Sequence, residues 1–277
     1  MSKHVKEILK KLGTSPKRSM GQNFLINNQK IQKITKEILK QEYKSIVEIG
    51  PGLGSITNEL VKINTNLQCI EKDKDLFKYL KSRYEDYNNF EIYNKDILKC
   101  NLKKLGNGKR IFFGNLPYNI GTKIIENLND AFHSDHDVSA IFMLQKEVGE
   151  KILSKKGSKT YNGFVVKIRT FYKVKKLFEL NESDFWPQPK IKSILLRFDT
   201  KRIKTDDKLN YKDFSNFIFN SFSVRRKKLT NNLQKKFKKS LIVEKLKLLG
   251  LNEDIRAQDI EVETFMRLYK MLKDNKL

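Results

Sequence analysis

Apolar runs of five or six residues alternate with helically spaced patterns through the first two-thirds of the chain. Residues 45–50 (SIVEIG), 67–71 (LQCIE), 90–94 (FEIYN), 110–114 (RIFFG) and 139–145 (SAIFMLQ) each read as a buried strand. Between them, 56–63, 75–84, 122–132 and 146–154 place apolar residues at the three-and-four spacing of a helix. Strands alternating with helices over brief loops predict a parallel sheet wrapped by helices. Two further runs, 164–172 (FVVKIRTFY) and 192–198 (KSILLRF), predict late strands forming an antiparallel edge. After about residue 200 strand signals stop. Phe214, Phe217, Ile218, Phe222, Leu229, Leu233 and Phe237 keep helical spacing, and 244–277 is helical in pattern with a break near Gly250. The expected organisation is an α/β domain over 1–203 and a small helical domain over 204–277.

Composition changes this picture in one respect. The 277 residues carry a formal net charge of +25. An excess of that size implies an anionic polymer partner. Basic runs at 201–204 (KRIK), 225–228 (RRKK) and 235–239 (KKFKK) concentrate it in the helical part, with RRKK on the polar side of the phenylalanine stripe. No apolar run approaches the ~18 residues of a membrane span, and residues 1–25 lack the apolar core of a secretory signal. Cys69 and Cys100 fit no C-x-x-C pattern, so a reduced, cytoplasmic setting is expected. The sequence HSDH at 133–136 sits in a polar connection with no further ligands nearby, and no metal site is expected.

The strand tips carry the chemistry. The first strand ends in Gly50-Pro51-Gly52-Leu53-Gly54, where glycines allow a tight turn and close approach of the backbone to a ligand. The spacing is not that of the dinucleotide fingerprint, and no phosphate-binding Gly-Lys-Ser/Thr follows. Glu71 ends the second strand, 21 residues after Gly50. A carboxylate there can accept from both hydroxyls of a ribose. Asp96 follows the third strand; by itself it reads as a turn residue, or as an acceptor for an adenine amino group with Ile97 beside it to pack on the ring. The fourth strand ends in Asn115-Leu116-Pro117-Tyr118. Asn115 offers a side-chain carbonyl, and Leu116 a main-chain carbonyl stiffened by Pro117. Two acceptors match the two hydrogens of an exocyclic base amine. They favour a tetrahedral nitrogen with a localised lone pair, and Tyr118 supplies a ring for base stacking.

The segments GQNFL (21–25), EIGPGLGSIT (48–57), IEKD (70–73), NKDIL (94–98), NLPYNIGTKII (115–125), FWPQPKIKSILLRF (185–198) and SFSVRRKKLTNNL (221–233) together resemble the small-subunit ribosomal RNA adenine dimethyltransferase family over nearly the whole chain. The resemblance implies a Rossmann-like class I methyltransferase sheet, mostly parallel with seven strands, and a small all-helical C-terminal domain that binds rRNA through Arg225, Arg226, Lys227 and Lys228. It implies S-adenosylmethionine as cofactor. Its methionine part would meet Asn23 and Leu25, from an N-terminal arm over 1–28, while Gly50 and Gly52 line the pocket. Glu71 and Lys72 would lie at the ribose, Asp96 and Ile97 at the adenine, and Asn115 between cofactor and target amine. Tyr118 would stack on the target adenine, with Phe185 as a second face or as core beside Trp186. The implied substrate is a pair of adjacent adenines in the 3′-terminal hairpin of small-subunit rRNA, within a pre-ribosomal particle and met by a monomer. The chain departs from the family pattern at Gly121, Lys123 and Lys192, which bear on the substrate side. Two rival readings stand beside this one: a large-subunit rRNA adenine methyltransferase of the macrolide-resistance type, and a non-catalytic RNA-binding assembly factor on the same fold.

Overall fold

The structure is a computed structural model that describes residues 2–117, 120–201 and 210–273. The elements, in chain order, are α1 (Ser2–Lys11), β1 (Phe24–Leu25), α2 (Asn28–Ile38), β2 (Ser45–Ile49), α3 (Thr57–Leu60), β3 (Asn66–Glu71), α4 (Lys74–Arg83), β4 (Phe90–Asn94) and β5 (Arg110–Asn115). There follow α5 (Gly121–Phe132), β6 (Val138–Gln145), α6 (Lys146–Ile152), α7 (Gly163–Phe171), β7 (Tyr172–Leu180), β8 (Phe185–Trp186) and β9 (Ser193–Thr200). The last helices are α8 (Tyr211–Ser221), α9 (Leu229–Leu233), α10 (Lys239–Leu248) and α11 (Val262–Lys273).

Seven strands form one sheet in the order β4-β3-β2-β5-β6-β9-β7. β4, β3, β2, β5 and β6 run parallel, and β9 lies antiparallel to β6. Every residue of β2 is buried, as a central parallel strand covered on both faces requires. β1 and β8 pair separately, Leu25 opposite Phe185 and Phe24 opposite Trp186.

The chain divides into two compact units: 1–149 with 174–200, and 150–173 with 201–277. The sequence-derived boundary at 203/204 lies outside the described residues. In the second unit, Phe214, Phe217, Phe265 and Tyr269 meet ring to ring at 5.4–6.4 Å. Lys and Arg outnumber Asp and Glu by 16 in this unit's sequence, against 9 in the first unit.

Three expected elements differ. Residues 163–171 are helical, with strand β7 beginning only at Tyr172. Asn162 caps this helix by accepting from the Val165 N–H at 3.2 Å, and Val165, Val166 and Ile168 are buried along it. Burial outweighed the strand preference of its β-branched and aromatic residues. The helix expected over 56–63 stops at Leu60. Beyond it, the Asn89 amide donates to the carbonyls of Val61, Ile63 and Thr65, fixing a turn. The RRKK run lies in the connection between α8 and α9 rather than on a helix. Asn232 donates to the carbonyls of Ser221 and Val224 and so shapes that connection.

Gly114, just before the tip of β5, has no room for a side chain: a Cβ there would stand 2.6 Å from the Ile49 carbonyl oxygen on the neighbouring strand. The obstacle is backbone and cannot swing away. Gly114→Ala is expected to lower stability by about 1–3 kcal/mol, measured by denaturant unfolding.

Candidate active site

The carboxyl ends of β2, β3, β4 and β5 open onto one cleft of about 890 Å³, counting its open mouth. This is the edge where an open parallel sheet takes its ligand. Gly50, Gly52 and Gly54 adopt φ of +66°, +63° and +82°, values that favour glycine. A Cβ at Gly50 would meet nothing within 4 Å, so the backbone there faces open space.

Glu71 binds the loop to the next helix. Its Oε2 accepts from the Gly52 N–H at 3.1 Å and its Oε1 from the Asp73 N–H at 2.8 Å. Burial pushes its carboxyl up to about 7, against the pull of those donors. Asp73 then caps α4, its Oδ1 accepting from the N–H groups of Asp75 and Leu76. At the tip of β4, Asp96 Oδ1 accepts from the Leu98 N–H at 3.0 Å, and Oδ2 pairs with Lys72 at 2.9 Å. Burial opposes ionisation of Asp96, but those contacts hold its carboxyl below the usual range.

A segment before β1 forms another wall, where Ser19, Met20, Gly21 and Gln22 line the cleft with Asn23 and Phe24. Asn115 Nδ2 donates to the Asn23 carbonyl at 3.1 Å. The Asn115 amide is thereby oriented, with Nδ2 committed to that carbonyl and Oδ1 left to accept. The Leu116 N–H donates to the Met143 carbonyl at 3.0 Å, which anchors the peptide that follows.

Of the residues singled out by sequence, Asn23, Gly50, Gly52, Glu71, Lys72, Asp96, Ile97, Asn115 and Pro117 line this cleft. Leu25 lines a small adjoining hollow that shares Asn23, Gly50 and Asn115 with it. The Leu116 side chain is buried. Tyr118 lies outside the described residues. Phe185 is a correction as a stacking face: it is 3% exposed and sits with Leu25 and Leu195 in the main core. Its pairing with Leu25 across β1 and β8 sends both into that core, while Trp186 packs with Val5, Leu9 and Phe24. Sequence reasoning missed Met20, Gln22, Lys95, Ile120 and Ile124 in the wall. Gln22 lies inside the GQNFL segment, Lys95 inside NKDIL, and Ile120 and Ile124 inside NLPYNIGTKII; Met20 alone of the five lies outside every quoted motif.

The donor set suits an adenosyl group. A buried carboxylate with lone pairs to spare stands at the ribose position, a second acid stands beside Ile97 for the base, and an open glycine turn lies between.

A seven-stranded sheet of this order, with a glycine turn after its first strand and an acid at the tip of its second, defines a class I methyltransferase. The chain belongs to the ribosomal RNA adenine dimethylase family, whose pattern matches residues 13–274. Ribosomal RNA small subunit methyltransferase A of Ureaplasma urealyticum is 35% identical, over 97% of this chain and 96% of its own. The protein of that name from Francisella tularensis is 36% identical, over 94% and 98%. Among solved structures, a dimethyladenosine transferase from Plasmodium falciparum aligns with a TM-score of 0.76 at 24% identity, over 89% of this chain and 96% of that one. The 23S rRNA methyltransferase ErmE aligns at 0.69 and 20% identity, over 91% and 100%. Both structural likenesses are of fold.

Behind the glycine turn, Glu48 is buried with no cationic partner among the described residues. Its Oε2 accepts from the Thr57 hydroxyl at 2.7 Å and from the Cys69 thiol at 3.7 Å. Burial pushes its carboxyl from 4.5 up to about 7. Between those values the folded state holds more protons than the unfolded one, so stability falls as pH rises through the window. Glu48→Gln, which keeps an acceptor for Thr57, should match the parent at pH 4, below the window. At pH 8 it should be more stable by on the order of 1–3 kcal/mol, read from thermal unfolding at both pH values.

Proposed function

We propose that this chain transfers methyl groups from S-adenosylmethionine to the exocyclic amines of two adjacent adenines in the 3′-terminal hairpin of small-subunit rRNA, during assembly of the subunit. Family membership and the names of the full-length relatives support the substrate. One observation carries the chemistry: Asn115 and Pro117, at the end of β5, share a cleft with Glu71, Asp96 and the glycine turn.

Bound there, S-adenosylmethionine supplies an electrophilic methyl group on a sulfonium. Glu71 receives the ribose hydroxyls on the lone pairs that Gly52 and Asp73 leave free. Asp96 accepts from the adenine amino group, and Ile97 covers the ring. Asn115 Oδ1 and the Leu116 carbonyl accept the two hydrogens of the target amine, turning its lone pair toward the methyl. No general base is needed: as the nitrogen–methyl bond forms, the sulfur–methyl bond breaks to leave a neutral thioether, and the proton on nitrogen passes to water afterwards. Orientation and fixed dipoles then supply the rate enhancement. The target base must leave its stack to reach the cleft.

The second unit offers the RNA backbone its charge. In the basic connection, Arg225 bonds to Gln258 and the Ser158 carbonyl, and Lys228 pairs with Asp254. Arg226 and Lys227 are exposed and have no such partner among the described residues. These two are the phosphate contacts we favour within the expected 225–228 set.

The deciding experiment incubates the protein with labelled S-adenosylmethionine and a mixture of unmethylated small and large ribosomal subunits, then maps the modified nucleotides by primer extension. Label in two adjacent adenines of the 3′-terminal hairpin is expected; label in large-subunit rRNA alone, or none despite RNA binding, sinks the proposal. Asn115→Ala should lower turnover by about 100-fold or more with unchanged thermal unfolding. Replacing Arg226 and Lys227 together by Ala should weaken RNA binding and flatten its dependence on salt. Each lost phosphate contact reduces the log–log slope by about 0.7–0.9.

A further inference from the structure

The wall formed by residues 17–25 is tied at its C-terminal end by the β1–β8 pairing, and at Lys17 and Gln22 by Asp73 at the start of α4. Asp73 is 2% exposed, and its two oxygens have separate tasks. Oδ1 caps α4. Oδ2 accepts from Gln22 Nε2 at 2.9 Å and pairs with Lys17 Nζ at 2.9 Å, and Lys17 also reaches Asp75 at 3.0 Å. Gln22 closes the ring, its Oε1 accepting from the Lys17 N–H at 2.8 Å. On either side of Gln22, Gly21 and Asn23 are joined by Asn23 Nδ2 donating to the Gly21 carbonyl at 3.2 Å. The Asn23 carbonyl in turn receives Asn115 Nδ2. Burial opposes ionisation of Asp73, but Lys17 and Gln22 outweigh it and hold the carboxyl below its usual range.

We propose that Asp73 is a positioning residue for methyl transfer: through Gln22 and Lys17 it fixes the 17–25 wall, and through the Asn23 carbonyl it fixes which way the Asn115 amide faces. This inference rests on the function proposed above and adds a residue to it. Without the Asp73 anchor, the wall loosens against the cofactor, and Asn115 loses the acceptor that keeps Oδ1 toward the target amine. Both the affinity of the cleft and the rate at saturation depend on one carboxylate that touches neither reactant.

Asp73→Asn tests this with the helix cap retained, because Asn caps helices as well as Asp. The amide then presents a donor to Gln22 Nε2 and no charge to Lys17. Expected are a tenfold weaker affinity for S-adenosylmethionine and for its demethylated product by calorimetry, a tenfold lower single-turnover rate at saturating cofactor, and faster hydrogen exchange across 17–25 without cofactor. The second change is a rescue. Gln22→Glu in the Asp73→Asn background restores the contact with donor and acceptor exchanged, and should recover most of the rate and the exchange protection. Should Asp73→Asn fail to fold, the pair Lys17→Met with Gln22→Leu breaks the same contacts from the wall side and leaves the cap alone, and the same losses are expected. A parent-like saturated rate in either variant overturns the proposal, as does absence of rescue in a folded double variant. A parent protein that methylates no RNA instead overturns the proposed function, so the two failures are distinguishable.

Discussion

Glu71 is a carboxylate taken out of water with no ion-pair partner among the described residues, and the cleft is organised around satisfying it. Two backbone N–H groups do so, from Gly52 in the turn after β2 and from Asp73 at the start of α4. Those bonds tie the ends of adjacent parallel strands to one another, so the turn, the strand tip and the helix start form a single rigid corner. The cost shows as a carboxyl pushed up to about 7 by burial. A group strained in this way gains most from further donors, which two vicinal hydroxyls supply. The corner is therefore a structural joint and, in the function proposed above, also the seat of the ribose.

From that corner the structure propagates to the reacting end through Asp73. Its backbone satisfies Glu71, while its side chain caps α4 and anchors the segment before β1. That segment's Asn23 carbonyl then meets Asn115. Cofactor seat and acceptor pair are thus connected by hydrogen bonds rather than by packing alone. Hydrogen bonds are directional, and direction is what an amide with two nearly isosteric ends needs.

What could be read from sequence follows the range of each interaction. Parallel strands buried on both faces appear as continuous apolar runs, so β2 to β6 and β9 were legible within a residue or two. The tips of those strands carry the candidate chemistry, which made Glu71, Asp96 and Asn115 visible as well. Residues 163–171 misled because their local preference is extended while their burial is helical. Phe185 stayed open between stacking face and core because its partner, Leu25, is 160 residues away, and only that pairing sends the ring into the core. The contacts of Lys17 and Gln22 with Asp73 span 51 residues or more, and Asn23 to Asn115 spans 92. No local pattern encodes such pairs.

In the function proposed above, the fixed acceptors also constrain how one nitrogen receives two methyl groups. Asn115 cannot exchange its amide ends while Nδ2 is held by Asn23, and the Leu116 peptide is anchored through Met143. After the first transfer the target amine has one hydrogen left, and the acceptors do not move to follow it. The adjustment falls on the substrate: the methylamine must turn about its bond to the ring, placing its remaining hydrogen on one acceptor and its methyl where the other hydrogen had been. A rigid acceptor pair is compatible with dimethylation only if the cleft leaves space on that second side. Open volume beside Asn115, rather than flexibility of Asn115, is then the property that separates a dimethylating site from one that stops after a single transfer.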